Sequence, residues 1–279
     1  MSYYIRCLAF YIFTICIIFS GFCKVCFAQL VFSAPPRETL EAGQKTYGPL
    51  VENLTRLLGE RVVYEHPDNW REYEKKIRND KYDIIFDGPQ FVSWRMENLQ
   101  AKPVVKLPGS LNFVLVVRKE DKAITNLKDF IGKKICTLPS PNLGALTLYS
   151  MFPNPILQPD FVPVTGGFKD VAIAFNAGKC EGAVLRSSFY HHILSSKFRS
   201  KIKVIKESQS FSNQGITLSK RVNHRASEKI FYALTSNNKN KVIKPILDRF
   251  GGKSSGFVPA KPEDYKGQNL LKDNLIFGW

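Results

Sequence analysis

Residues Lys81-Tyr82-Asp83-Ile84-Ile85-Phe86-Asp87-Gly88-Pro89-Gln90-Phe91-Val92 read as a buried strand that stops at Asp-Gly-Pro and turns at once into a helix. This corner constrains the fold, because an α/β protein gathers its ligand at the carboxyl ends of such strands, where the next helix offers unpaired N–H groups. A second stretch, Lys134-Ile135-Cys136-Thr137-Leu138-Pro139-Ser140-Pro141-Asn142-Leu143-Gly144-Ala145, repeats the layout about fifty residues later. Two corners of this kind facing one cleft would make a binding protein.

The order of elements around the corners sets the fold class. Leu30 to Ala34 reads as a strand, and the following helix carries Tyr47, Leu50, Leu54, Leu57 and Leu58 at helical spacing. A strand (Arg61 to Glu65), a helix with Trp70, Tyr73 and Ile77 on one face, the strand Tyr82 to Phe86 and a helix from Pro89 complete a first cycle. This alternation implies a parallel sheet covered on both faces. A long strand, Leu111 to Arg118, opens a second cycle: strand Lys134 to Leu138, helix from about Asn142, strand Asp160 to Val164, helix Phe168 to Asn176, strand Cys180 to Leu185, helix from Ser187. Gly178 should end the fifth of these elements as a left-handed cap. The strand Gly215 to Ser219, a helix with Ala226, Ile230, Phe231 and Leu234, and a helix from about Lys241 to Phe250 follow, and the tail beyond Gly251 should wrap the surface.

The expected fold is therefore α/β, with two Rossmann-like lobes joined by a two-strand hinge. Residues 29–110 and 213–279 form lobe 1 and residues 111–212 lobe 2. The crossings near Ser110 to Phe113 and Phe211 to Gln214 would be the hinge, and short irregular segments of this kind absorb the dihedral change of closure.

Residues 1–28 read as a cleaved secretion signal. Arg6 precedes an apolar run from Cys7 to Phe22, and Cys26-Phe27-Ala28 puts small residues at the cleavage positions. The run is shorter than the ~20 residues that span a bilayer. A retained anchor is the alternative, and lipid attachment at Cys23 or Cys26 is disfavoured by the bulk of Phe22 and Val25. Loss of Arg6 and Lys24 lowers the formal net charge from +16 to +14. Such an excess is compatible with a small anion, an anionic membrane or nucleic acid. The basic residues are scattered, and the densest cluster, Lys197 to Lys206, lies beside a strand rather than along a helical face, so nucleic acid is not the expected partner. Four of the six cysteines lie within the signal. Cys136 and Cys180 remain, too few for a disulfide-stapled scaffold and without metal-ligand spacing; they read as two reduced core thiols, with an oxidised pair as the alternative.

Ser33-Ala34-Pro35-Pro36-Arg37-Glu38, Tyr47-Gly48-Pro49-Leu50, Tyr82 to Pro89, Val116-Val117-Arg118-Lys119 and Gly178-Lys179-Cys180-Glu181-Gly182-Ala183, in this order and spacing, resemble the periplasmic solute-binding proteins of the phosphate/phosphite/phosphonate type, a branch of the type II periplasmic binding fold. The resemblance covers about residues 31 to 260. It implies a monomeric periplasmic protein that captures a small phosphonate- or phosphate-like anion and hands it to the inner-membrane permease of an ABC importer, with no cofactor, no metal and no enzymatic activity. It also implies ligand contacts from Ser140, Asn142, Gly144 and Tyr47. The chain departs from the family at two places: Ser140-Pro141-Asn142-Leu143 replaces the usual run of serines and threonines, with Pro141 lacking an N–H, and Arg186 stands where an acid is expected.

Each candidate also has a plainer reading. Asn142 caps well, and a cap is compatible with an anion at the same helix start. Asp87 suits the first turn of its helix electrostatically or contacts a cationic part of a ligand. Gln90, one turn in, is the better polar contact. Arg186 suits bidentate recognition of an oxyanion or forms a rim ion pair. Asn112, at the crossing, and Ser187, after Arg186, complete the set. Among aromatic residues Tyr47, Trp70, Phe113 and Tyr190 are cleft candidates, whereas His66, His191 and His192 lack zinc spacing. No Gly-x-Ser-x-Gly, His-Glu-x-x-His or phosphate-loop motif is present. A ligand-sensing subunit of a signalling system and, behind it, an enzyme on the same fold are the alternative functions.

Overall fold

The computed structural model describes residues 29–236 and 240–271, so the expected signal segment lies outside the described residues. The chain begins with β1 (Leu30–Ser33), α1 (Leu40–Leu58), β2 (Val62–Tyr64), α2 (Trp70–Arg78), β3 (Ile84–Asp87), α3 (Pro89–Leu99) and β4 (Lys102–Lys106). It continues through β5 (Ser110–Leu111), β6 (Phe113–Arg118), β7 (Lys134–Thr137), α4 (Leu143–Met151), β8 (Asp160–Pro163), α5 (Phe168–Asn176), β9 (Gly182–Arg186), α6 (Ser187–His192), α7 (Ser196–Arg199) and β10 (Ile202–Glu207). Last come β11 (Phe211–Ser212), β12 (Gly215–Leu218), α8 (His224–Thr235), α9 (Asn240–Ile246) with a π-helical continuation over Leu247–Gly251, and β13 (Val258–Pro259). Among the described residues no helix is long and apolar enough to cross a membrane.

Local chemistry explains where the helices start and stop. The Thr39 hydroxyl accepts from Ala42 N at 3.3 Å to cap α1, and Gly59, at φ 74°, ends it in the left-handed conformation. Asn69 caps α2 by accepting from Glu72 N. Gly178 takes φ 81° just past α5, as its position predicts.

The strands form two principal sheets. One has the order β13-β4-β12-β3-β1-β2 and the other β10-β6-β9-β7-β8, while β5 and β11 pair separately as a small ribbon. β1, β2 and β3 are parallel, as the alternation predicts, but β12 enters antiparallel between β3 and β4. In the second sheet β7, β8 and β9 are parallel, and β6 runs antiparallel to both β9 and β10. The antiparallel strands correct the expectation of purely parallel cycles: β6 and β12 are the strands by which the chain crosses between the sheets, and each enters reversed, while β13 also pairs antiparallel to β4. The predicted strand Leu111 to Arg118 is broken at Asn112, because Ser110–Leu111 pairs with β11 while Phe113–Arg118 joins the second sheet.

One apolar cluster, with Tyr47, Leu50, Leu54, Phe86 and Ile216, fills the first sheet's side, and two others flank the second sheet. A fourth joins the two bodies, where Leu146 of α4 packs with Tyr73, Phe91 and Trp94. The tail does not merely wrap the surface: Tyr265 is fully buried, and its hydroxyl donates to Asn213 O at 2.9 Å. Cys136 and Cys180 are also not free thiols. Cys180 lies just before β9, beside β7, and the pair forms a disulfide at a Cα separation of 5.7 Å, inside the range a bridge spans without backbone movement.

Candidate functional site

The two strand-to-helix corners meet across a cavity of about 420 Å3 between the sheets. At the first, β3 ends at Asp87, Gly88 takes the N-cap position without a side-chain cap, and Pro89 opens α3. At the second, a cis Ser140–Pro141 peptide leads to Asn142, whose Oδ1 accepts from Gly144 N at 2.9 Å to cap α4. Neither α3 nor α4 carries an acid in its first turn, and the positive ends of both helices line the cavity. The start of α5 differs, because Asp170 Oδ2 already accepts from Gly167 N at 2.8 Å.

Gln90 joins the walls: its Nε2 donates to Pro141 O at 3.2 Å, while its buried Oε1 has no hydrogen-bond partner among the described residues. Gly144 sits where a side chain would crowd the cleft, since a Cβ there would lie 3.1 Å from the Phe113 ring. The buried hydroxyls of Thr137, Ser140 and Ser187 likewise have no partner among the described residues.

Arginines supply the charge. Arg186 ends β9 and lines the cavity half-buried, and its guanidinium has no hydrogen bond or ion pair among the described residues; burial lowers its pKa from the usual guanidinium value. Arg37 follows β1, donates through Nη1 to Gln214 Oε1 at 3.1 Å and stands over the Phe250 ring at 5.6 Å. Arg249 also lies over that ring, at 5.4 Å, and meets Glu38 at 3.5 Å.

Of the residues expected at the site, the structure brings Gln90, Asn142 and Arg186 to the cavity wall. Ser140 and Gly144 flank Asn142 just behind it. Ser187 is buried next to Arg186, with its N–H donating to Asn112 O at 2.8 Å, and the Asn112 side chain accepts from Ser110 Oγ at 3.0 Å. Asp87 turns inward and accepts from the Tyr73 hydroxyl. Burial pushes its pKa up to about 6, against the opposing influence of Arg95, the Tyr73 hydrogen bond and Arg37. Tyr47 does not reach the wall either; it is fully buried in the core and donates to Glu38 Oε1 at 2.9 Å. Burial, and then Glu38, raises its phenol well above the ordinary range. Trp70 and Phe113 line the cavity, whereas Tyr190 does not.

Sequence reasoning missed Arg37, Arg249 and Phe250. Arg37 had a usable signal, since it follows the carboxyl end of a strand. Arg249 and Phe250 had none, because they lie in a π segment whose sequence reads as ordinary helix. No cluster of metal-ligating side chains occurs among the described residues.

Comparison with known proteins agrees with this arrangement. Residues 32–265 match the family model described as ABC transporter, phosphonate, periplasmic substrate-binding protein. No curated relative matches the chain in sequence. Among solved structures, a Xanthomonas citri protein bound to ATP superimposes with a TM-score of 0.69 at 13% identity, over 87% of this chain and 94% of that one. PhnD1 of Prochlorococcus marinus, in complex with methylphosphonate, gives 0.62 at 17% identity, over 85% and 94%. A binding component of a phosphonate ABC transporter from Pseudomonas aeruginosa gives 0.57 at 13%, over 85% and 83%. At these identities the likeness is one of fold, the type II periplasmic binding architecture.

Proposed function

The chain belongs to the periplasmic substrate-binding proteins of phosphonate ABC transporters, and on that premise we propose that it captures a small phosphonate- or phosphate-like oxyanion in the cleft and delivers it to an importer permease. The family is one of binding proteins, not enzymes. The observation that carries the reading is the pair of acid-free helix starts, α3 and α4, facing each other across the cavity and joined by the Gln90–Pro141 hydrogen bond. An oxyanion between them would accept backbone N–H groups at the positive ends of two helices. Asn142, Gln90 and Arg186 would contact it directly, with Ser140, Gly144 and Ser187 shaping the wall behind them.

Closure would turn on the two crossings tied by β5 and β11. They are further joined by the Leu107 N–H donating to Gln214 O at 2.8 Å and the Asn213 amide donating to Pro108 O at 2.9 Å. Residues 29–110 and 213–279 would move as one lobe against 111–212. The protein would act as a monomer in the periplasm after removal of residues 1–28.

Thermal unfolding in the presence of phosphate, methylphosphonate or ethylsulfonate tests the reading. A specific binder at 100 times its Kd stabilises by ~2.7 kcal/mol, and Asn142→Leu should reduce that gain. Absence of binding by both phosphorus compounds would sink the proposal.

A further inference from the structure

The charge of the cleft is one-sided. Arg37, Arg186 and Arg249 line it, and among the described residues no carboxylate does. Arg37 donates to a neutral amide, the Arg186 guanidinium has no partner among the described residues, and Arg249 meets Glu38, a carboxylate that also accepts the Tyr47 hydroxyl. Among the described residues the three guanidinium groups have one direct carboxylate partner, and the starts of α3 and α4 add to the excess. A ligand carrying an ammonium group would find no carboxylate in the wall and would meet like charge.

The cations also stand apart. Arg37 and Arg249 belong to the wall built on the first sheet, whereas Arg186 ends a strand of the second. Trp70, Phe113, Phe168 and Phe250 line the same cavity and suit an organic body rather than water. A volume of about 420 Å3 is many times that of one water molecule, ≈ 30 Å3, and exceeds what a bare oxyanion fills.

Resting on the oxyanion reading above, we infer that the ligand is an organic molecule with two separated acidic groups and no ammonium, of the phosphonocarboxylate class, one group facing Arg186 and the other facing Arg37 and Arg249. Planar guanidinium forks match both phosphonate and carboxylate oxygens bidentately. The Phe250 ring, with Arg37 and Arg249 over it, helps set their orientation.

Calorimetric titration of the purified protein with three compounds of matched length tests this: 3-phosphonopropionate, propylphosphonate and 2-aminoethylphosphonate. The phosphonocarboxylate should bind at least tenfold more tightly than either of the others, and Arg186→Gln should reduce that margin to less than threefold, with Arg186→Lys retaining part of it. Equal or tighter binding of 2-aminoethylphosphonate overturns the inference while leaving the oxyanion reading intact. Glutarate and butyrate separate the two claims. If no phosphorus compound binds, the oxyanion reading and the phosphonocarboxylate class both fail, and a tenfold preference for glutarate over butyrate would retain only the requirement for two separated acids.

Discussion

The side-chain amide of Gln90, on α3, donates to the backbone carbonyl of Pro141, in the corner before α4, at 3.2 Å. One hydrogen bond thus ties the two walls of the cleft at the point where both helices begin. A buried bond of this type contributes about 1 kcal/mol net, so Gln90→Ala should lower the closed-to-open ratio of the ligand-free protein roughly fivefold. Small-angle scattering should then show a larger radius of gyration without ligand, converging on the parent value at saturating ligand. An unchanged radius would detach this bond from closure.

Asp87 predicts a pH dependence. Its carboxyl is fully buried and its pKa is raised from 3.8 to about 6, chiefly by burial. The folded state therefore binds more protons than the unfolded state between about pH 4 and pH 6, and stability contributed by the neutral form falls as pH rises through that window. Urea unfolding of the parent and of Asp87→Asn should show the parent losing stability relative to the variant from pH 4 to pH 7. Parallel pH profiles would mean that Asp87 is already ionised in the fold at pH 4.

Parts of this arrangement are legible in sequence because they are local. Strand-helix alternation, the Asn142 cap and the Gly178 stop each depend on a few adjacent residues, and all three appear in the structure. Arg186 was legible as well, being the last residue of a buried strand. What stayed hidden depends on distant pairing. The reversed entry of β12 between β3 and β4 joins residues more than a hundred positions apart. Arg37 and Arg249 meet over one ring from opposite ends of the chain. Tyr47 and Asp87 were misplaced for a simpler reason, since a sequence fixes which face of a helix or strand they share but not which partner occupies that face: Glu38 takes the Tyr47 hydroxyl, and Tyr73 takes the Asp87 carboxylate.

The Cys136–Cys180 bridge closes a loop with a sequence separation of 44. Constraint of the unfolded chain by a loop of that length is worth about 2–4 kcal/mol. A Cys136→Ala/Cys180→Ala variant should unfold several degrees lower than the parent, and reductant should lower the parent toward the variant while leaving the variant unmoved. Peptide mapping after alkylation of the denatured, unreduced protein gives the direct check: alkylated Cys136 and Cys180 in protein from an oxidising compartment would contradict the bridge.

Gly215, the first residue of β12, is the point where the C-terminal tail locks against the return strand. A Cβ there would strike the Tyr265 hydroxyl and lie 2.8 Å from Val105 O. The clash with the carbonyl cannot be relieved by a rotamer change, because Val105 pairs with Ile216 in the next register position of the same sheet. Gly215→Ala should therefore cost about 1–3 kcal/mol. Tyr265→Phe should cost about 1 kcal/mol through loss of the hydrogen bond to Asn213 O. The double variant should stay well below Tyr265→Phe alone, since removing the hydroxyl leaves the carbonyl in place. Full recovery of the double variant in guanidinium unfolding would show that Tyr265 alone, and not the backbone of β4, excludes a side chain at position 215.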